Sequence, residues 1–158
     1  SAVSRECSKY GYEPVMLTDQ LCCQAKEAGS FLASIAKTHC KSGKKLAYIA
    51  GGETIVNITG HGKGGRNQEI ALSAAEGIKG MPNAAVFSIG SDGTDGPTDA
   101  AGGYSDGDTA GVLKNKGIDI FEVLKNNDAY NALKLTEGLI ITGPTGTNVN
   151  DVSVLLIG

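Results

Sequence analysis

Three glycine-rich loops of this 158-residue chain bring together charged, hydroxyl and amide groups able to do chemistry. The loops span residues 60–69, 90–103 and 142–151, and each follows a short apolar run that is typical of a β-strand. Backbone N–H groups, hydroxyls and charges packed this closely are what proteins use to bind small anions. The three loops therefore indicate a binding or catalytic site.

The first loop combines glycines with two cations, Lys63 and Arg66. Its glycines, which include Gly64 and Gly65, would let backbone N–H groups approach an anion, and the following helix would add its positive N-terminal dipole. The guanidinium of Arg66 can bind a phosphate or carboxylate through two N–H groups. The loop is not a Walker A motif, because Lys63 is followed by Gly64, and its GxGxxG-like spacing is a weak indicator alone. A flexible turn with solvated cations is the alternative.

The second loop places Asp92, Asp95 and Asp99 within eight residues. Carboxylates of this kind could hold Mg²⁺, with water and substrate phosphate completing its shell. One of them could instead accept a proton from a substrate hydroxyl. The alternative is that each aspartate hydrogen-bonds the backbone of its own turn, as Asp commonly does.

The third loop offers neutral groups, among them Thr145, Thr147 and Asn148. Such groups either orient a ligand or brace neighbouring loops. His61 in the first loop is expected to be solvated, and the chain has no Gly-x-Ser-x-Gly nucleophile elbow. Nucleophilic catalysis by a serine triad is therefore not predicted.

Apolar patterning predicts the elements that must position these loops. Short apolar or β-branched runs predict strands at residues 12–17, 46–50, 53–59, 84–89, 138–142 and 151–157. Helical spacing predicts helices at about residues 19–40, 69–78, 106–117, 119–124 and 127–134. Gly51-Gly52 is a two-residue hairpin signal, which predicts that the second and third strands pair.

Connection lengths indicate the arrangement of the sheet. A strand–helix–strand order occurs twice, from residue 53 to 89 and from 84 to 142, and such units normally have parallel strands. The hairpin and the short link before residue 151 are too brief for crossovers. The expected fold is α/β, with a mixed, mainly parallel sheet, helices packed on it, and the three loops at the carboxyl edge of the strands, where ligands bind.

Composition excludes several classes of function. The net charge is −3 and aromatic residues make up 5%, so neither a basic stripe nor base-stacking side chains suggest nucleic-acid binding. No apolar stretch approaches the roughly 20 residues that span a membrane. The four cysteines form no CxxC pair, which argues against a zinc site. Reduced thiols in a cytoplasmic protein are expected, and a disulfide is the alternative.

Five sequence stretches resemble the MOFRL domain of glycerate 2-kinases, a class also labelled hydroxypyruvate reductase. They are Gly51-Gly-Glu-Thr54, Gly64-Gly-Arg-Asn-Gln-Glu69, residues 90–102, Asn127-Asp-Ala-Tyr130 and residues 142–151. The resemblance covers residues 46–157 in family order. It implies a MOFRL-like domain over residues 46–158, and residues 1–45 resemble the segment that precedes it.

The resemblance implies phosphoryl transfer from ATP to D-glycerate, giving 2-phosphoglycerate, with Mg²⁺. Members of the family carry a larger Rossmann-like domain ahead of this one, with the active site in the cleft between them. This chain lacks that domain and the basic residue expected from it. We therefore expect the 158 residues to be inactive alone, and a homodimer is left open.

Carried onto this sequence, the resemblance places Arg66 in the cleft as an electrostatic partner of the substrate or the transferring phosphate. Asp92 and Asp95 are the expected metal or hydroxyl ligands. The residues expected to shape the binding pocket are Lys63, Gly64, Gly65, Asn67, Glu69, Thr145 and Asn148. Two alternative functions are an NAD(P)H-dependent reductase and a non-catalytic ligand-binding or regulatory module. The first loop fits the dinucleotide fingerprint of such a reductase poorly.

Overall fold

A computed structural model describes all of residues 1–158. The helices are α1 (Ala2–Lys9), α2 (Ala25–His39), α3 (Arg66–Gly77), α4 (Thr109–Asn115), α5 (Ile120–Lys125) and α6 (Ala129–Leu135). The strands are β1 (Glu13–Leu21), β2 (Leu46–Gly52), β3 (Ala84–Gly90), β4 (Gly102–Asp106), β5 (Leu139–Ile140) and β6 (Asp151–Ile157). No helix combines the length and the apolar character needed to cross a membrane.

All six strands form one mixed sheet in the order β1-β2-β6-β3-β4-β5. The α/β class and the mixed sheet with helices packed on it are confirmed. β1, β2, β3 and β5 run in one direction, but β6 and β4 are inserted between them in the opposite direction. Only the β1–β2 pairing is parallel, so the expectation of a mainly parallel sheet is wrong for neighbouring strands.

The expected hairpin at Gly51-Gly52 is also wrong, because the final strand takes the place of its second arm. β6 pairs antiparallel with β2 along its whole length, from Leu46↔Ile157 to Gly52↔Asp151. The alternating segment 53–59 then leaves the sheet and makes a single bridge, between Ile55 and Gln24. Alternation alone could not distinguish a strand from an extended segment that pairs at one residue.

Two elements were not predicted. β4 lies in the glycine-rich second loop, and glycine normally weakens a strand. Here Gly102 permits close approach, because a methyl group at that position would overlap the carbonyl of Ser88 on β3. α1 buries no residue and has no apolar stripe directed at the core, so helical spacing gave no signal for it.

α3 lies between two hydrophobic clusters and holds the first loop against the sheet. Ile70 and Ala74 belong to a cluster shared with α2, β2, β3 and β6. Ala71, Leu72 and Ala75 belong to a second cluster with α4, α5 and α6. Because both sides of α3 are buried, its first turn, at Arg66, has a fixed position at one edge of the sheet.

Two Gly→Ala substitutions test the close approach of β4 to β3. Gly102→Ala is expected to lower the free energy of unfolding by several kcal/mol or to prevent folding, since the overlapping atom is backbone. Gly111→Ala is the matched control, because nothing lies within 4 Å of its added carbon in α4. There alanine should raise stability by about 0.5–1 kcal/mol. Chemical denaturation measures both, and equal effects would contradict this packing.

Candidate functional site

The start of α3 is capped by a carboxylate from the second loop. The helix has Gly65 at its N-cap, where no side chain can accept its first N–H groups. Asp95 supplies the acceptors: its Oδ1 accepts from the N–H of Asn67 at 3.1 Å, and its Oδ2 from that of Gln68 at 2.9 Å. Burial raises the pKa of Asp95, while these hydrogen bonds act to lower it. Asp95 thus joins the first two loops.

Asn67 is fully buried and continues this network into the sheet. Its Nδ2 donates to Asp95 Oδ1 at 3.2 Å, and its Oδ1 accepts from the hydroxyl of Ser88 at 2.6 Å. The Ser88 hydroxyl also lies 2.7 Å from that of Ser153 on β6. Asn67 therefore braces the site from behind and is not exposed to a ligand.

The first loop is held by three consecutive residues, which we call the 126–128 clamp. Asn127 Oδ1 accepts from the N–H groups of Thr59 and Gly60 at 2.7 and 2.9 Å. Further acceptors in the clamp are Asn126 Oδ1 for His61, the Asn126 carbonyl for Gly62 and Asp128 Oδ1 for Lys63. The N–H groups of residues 59–63 are therefore already paired. The expectation that this glycine run offers free donors is wrong for these five residues.

Glu69 is a buried carboxylate in the first turn of α3. Its Oε1 accepts from Asn127 Nδ2 at 3.0 Å, and Asn127 Nδ2 also donates to the carbonyl of Asn57 at 3.1 Å. Burial raises the pKa of Glu69, opposed by this hydrogen bond and by the charge of Lys26. The four hydrogen bonds of the Asn127 side chain connect the clamp, the first loop and α3.

Beyond the clamp, three successive backbone donors have no acceptor. The N–H groups of Gly64, Gly65 and Arg66 make no hydrogen bond, and all three residues line one cavity of about 450 Å³. Glu69 lines it too, as does Thr54, whose buried hydroxyl has no partner. These residues place backbone N–H groups without a protein acceptor beside the cavity, at the positive terminus of a helix, which suits a small anion.

The opposite wall of this cavity is apolar. It consists of Ile55, Val56 and Ile58 from the extended segment after β2, together with Pro97. Ile55 is 55% exposed and Ile58 is 82% exposed. Large apolar side chains this exposed leave the cavity open along one side.

Arg66 is anchored to the first residue of β6. Its Nε and Nη2 donate to the two carboxylate oxygens of Asp151, the second at 3.0 Å. This pairing raises the pKa of Arg66. Glu53 Oε1 lies 3.6 Å from Nη2, too far for a hydrogen bond. Asp151 is buried, whereas 38% of the Arg66 side chain is exposed, so the pair presents a cation at the cavity.

Asp92 and the third loop form the neighbouring part of the edge. Asp92 Oδ1 accepts from the N–H and the hydroxyl of Thr94, which lowers the pKa of Asp92 with a smaller contribution from Arg66. Thr145 ties the third loop to the second: its N–H donates to the Asp92 carbonyl at 3.2 Å and its hydroxyl to the Ser91 carbonyl. Thr145 thus braces Asp92 through the backbone.

The structure does not bring Asp92 and Asp95 together as a pair of metal ligands. Both carboxylate oxygens of Asp95 accept hydrogen bonds from the first N–H groups of α3. Of the four carboxylate oxygens of Asp92 and Asp95, only Asp92 Oδ2 accepts no hydrogen bond. No group of three His, Cys, Asp or Glu side chains is placed to hold a metal ion. The donor set therefore fits Mg²⁺ only as an ion carried on substrate phosphates, with Asp92 as a single protein carboxylate.

The remaining predicted residues lie at the margins of the site. The ammonium of Lys63 sits 4.0 Å from the ring centroid of Tyr130, a cation–π contact, and the Tyr130 hydroxyl donates to Asp99. Asn148 is exposed, and its Oδ1 accepts only from the N–H of Asn150 at 3.4 Å. Neither Lys63 nor Asn148 lines the cavity.

Sequence reasoning gave no site role to Asp151 or Asn127. Asp151 ends the third loop and begins the predicted last strand, but nothing in the sequence shows that this residue lies beside Arg66. Asn127 was considered only as a helix start. A usable signal did exist for Asp95: a helix that begins Gly65-Arg66-Asn67 has no N-cap side chain of its own, so an acceptor must come from another segment.

Comparison with known proteins shows which family this chain matches. The model of the MOFRL family matches residues 46–151, which is most of the chain. A D-glycerate 2-kinase from Thermotoga maritima is 54% identical over 151 residues, and a glycerate 2-kinase from Pyrococcus horikoshii is 45% identical over 161 residues. These alignments cover 93% and 99% of this chain but only 36% of each relative. A protein from Agrobacterium vitis, provisionally named hydroxypyruvate reductase, is 39% identical.

Two crystal structures share the fold. Glycerate kinase from Thermotoga maritima superposes with a TM-score of 0.91 at 51% identity, and a Pyrococcus horikoshii protein with a TM-score of 0.94 at 45% identity. Both superpositions cover 99% of this chain, and 38% and 37% of the respective neighbours. The chain thus spans between a third and two fifths of the length of these relatives and structural neighbours.

The 126–128 clamp can be tested at Asn127, which has a positive φ of 55°. Glycine tolerates that backbone, so Asn127→Gly removes the side-chain hydrogen bonds without adding strain. Leaving buried polar groups unpaired should lower the free energy of unfolding by about 2–3 kcal/mol. Glu137→Gly is the matched control, with φ of 57° at an exposed residue, and should be neutral or stabilising. Equal stability of the two variants would contradict the clamp.

Proposed function

The chain belongs to the MOFRL family, and from this premise we propose that it forms the C-terminal part of a glycerate 2-kinase. The reaction is transfer of a phosphoryl group from ATP to D-glycerate, giving 2-phosphoglycerate. The names of its relatives support glycerate kinase activity. The observation within the molecule that carries the proposal is the set of backbone N–H groups without a protein acceptor beside the cavity.

Phosphoryl transfer requires mainly positioning and neutralisation of charge. Three N–H groups without a protein acceptor, at Gly64, Gly65 and Arg66, lie near the Arg66 guanidinium at the start of α3, in residues that line the cavity. Donors that are fixed before the reaction stabilise developing charge without reorganising. Because both ATP and D-glycerate are anions, this end of the cavity suits the carboxylate of the acceptor or the transferring phosphate.

Mg²⁺ enters the proposal as an ion bound to the nucleotide, where it would neutralise phosphate charge. Asp92 would be its one ligand from this chain, since hydrogen bonds from Thr94 favour the ionised carboxylate and leave Oδ2 free. Asp95 would not bind the ion. Its role would be to hold the start of α3, which fixes the donors that face the substrate.

The other wall of the site would come from a second domain. The chain covers 36% of the relatives named above, and the Rossmann-like domain expected ahead of it would supply the missing contacts. The exposed Ile55 and Ile58 along the open side of the cavity are consistent with such a covering.

Hydride transfer from NAD(P)H is the weaker alternative. A dinucleotide fingerprint works because its glycines bring backbone N–H groups to the pyrophosphate. In this chain the N–H groups of residues 59–63 donate to the 126–128 clamp and are not free for a ligand. Two Agrobacterium vitis relatives that carry the hydroxypyruvate reductase name favour a reductase.

The proposal predicts that Arg66→Ala in the full-length enzyme lowers the turnover of D-glycerate by roughly 10²-fold or more, because one preorganised charge contact is lost. Arg5→Ala is the matched control, since Arg5 is the other arginine of the chain and is exposed on α1. ATP-dependent formation of 2-phosphoglycerate measures both. Near-normal turnover in a folded Arg66→Ala variant would remove Arg66 from the reaction, and NAD(P)H oxidation by hydroxypyruvate without ATP turnover would favour the reductase.

A further inference from the structure

The guanidinium of Arg66 is hydrogen-bonded along one edge only. Of its five N–H groups, the one on Nε and one on Nη2 donate to Asp151. These two form the side-on edge of the group. The end-on edge, formed by Nη1 and the second hydrogen of Nη2, makes no hydrogen bond, although Glu53 Oε1 forms an ion pair with Nη2 at 3.6 Å. Three N–H groups of a residue that lines the cavity are therefore without an acceptor.

The position of Asp151 is fixed by the sheet, so its carboxylate can hold the side-on edge of the Arg66 guanidinium in place. It is the first residue of β6 and pairs with Gly52 on one side and Gly90 on the other, so its backbone is fixed within the sheet. Its side chain is 8% exposed and faces the carboxyl edge of both neighbouring strands. A methyl group at Gly90 would overlap the carbonyl of Thr94 at 2.5 Å, while it would lie 3.5 Å from Asp151 Oδ1, so the glycine is required by the second loop and not by Asp151.

A purely stabilising role explains this arrangement poorly. An ion pair with an exposed partner contributes little to stability, with a median near 0–1 kcal/mol. Burying the Asp151 carboxylate carries a desolvation cost, and its partner Arg66 is 38% exposed. The orientation that the pair gives to the guanidinium explains the arrangement better than its contribution to stability does. A bidentate contact fixes the plane of a guanidinium, which a lysine ammonium cannot reproduce.

We propose that Asp151 is a positioning residue: it holds the side-on edge of Arg66 so that the end-on edge receives an oxyanion of the substrate. The inference rests on the proposed function, because it needs an anionic substrate at Arg66. The oxyanion is a phosphate or carboxylate oxygen, and it takes a second pair of N–H groups from the same guanidinium. Asp151 itself touches no reacting atom.

Chemical rescue in the full-length enzyme tests the proposal. Arg66→Ala leaves a space beside Asp151, and added guanidinium ion should bind there and restore part of the turnover of D-glycerate. In the double variant Arg66→Ala, Asp151→Asn the same ion should restore at least tenfold less, because the carboxylate that orients it is gone. A merely structural role of Asp151 would not make rescue depend on it. Equal rescue in both variants, including none in either, would overturn the proposal.

A second variant leaves Asp151 intact, in case its replacement prevents folding. Arg66→Lys keeps the charge but loses the two-edged geometry, so its kcat should fall about as far as that of Arg66→Ala, roughly 10²-fold. A kcat close to that of the unaltered enzyme would overturn the inference even if Arg66→Ala is inactive. If Arg66→Ala itself keeps full activity, the proposed role of Arg66 in the reaction fails instead, which separates the two failures.

Discussion

The first N–H groups of α3 need acceptors from outside the helix. The site depends on which of these N–H groups the protein itself pairs and which it leaves for a ligand. Asp95 accepts from Asn67 and Gln68, while Gly65 and Arg66 remain without an acceptor. A helix start normally leaves four such groups to be satisfied by side chains, water or ligands. Here half of them connect two loops of the protein, and the other half lie at a cavity, where an anion can complete the cap.

The glycines of the first loop serve packing between loops, whereas their pattern suggests ligand binding. Glycines at the first loop were expected to bring backbone donors to a ligand. In the structure a methyl group at Gly65 would overlap Asp95, and one at Gly62 would contact Asp128. The glycines therefore let the backbone of the first loop pack against the second loop and the clamp. Binding is left to the three donors beyond that packing.

Sequence patterns predicted the helices and strands better than they predicted which of them lie next to each other. The strand at 151–157 and the short helix at 119–124 were predicted, since apolar runs and helical spacing are local properties. The position of β6 between β2 and β3 was not, because strand pairing depends on contacts about 100 residues apart along the chain. The same reason hid the roles of Asp151 and Asn127. Arg66 was found because its chemistry is local to the motif that carries it.

The central claim is that the donors at the start of α3 form the anion site, and amide chemical shifts test it most directly. Mg²⁺-ATP and D-glycerate would each be titrated into the ¹⁵N-labelled 158-residue chain. The account predicts the largest shifts at the N–H groups of Gly64, Gly65 and Arg66, with small shifts at residues 59–63, whose N–H groups are already paired. Shifts concentrated at residues 59–63, or no shift at Gly64–Arg66 with either ligand at millimolar concentration, would contradict it.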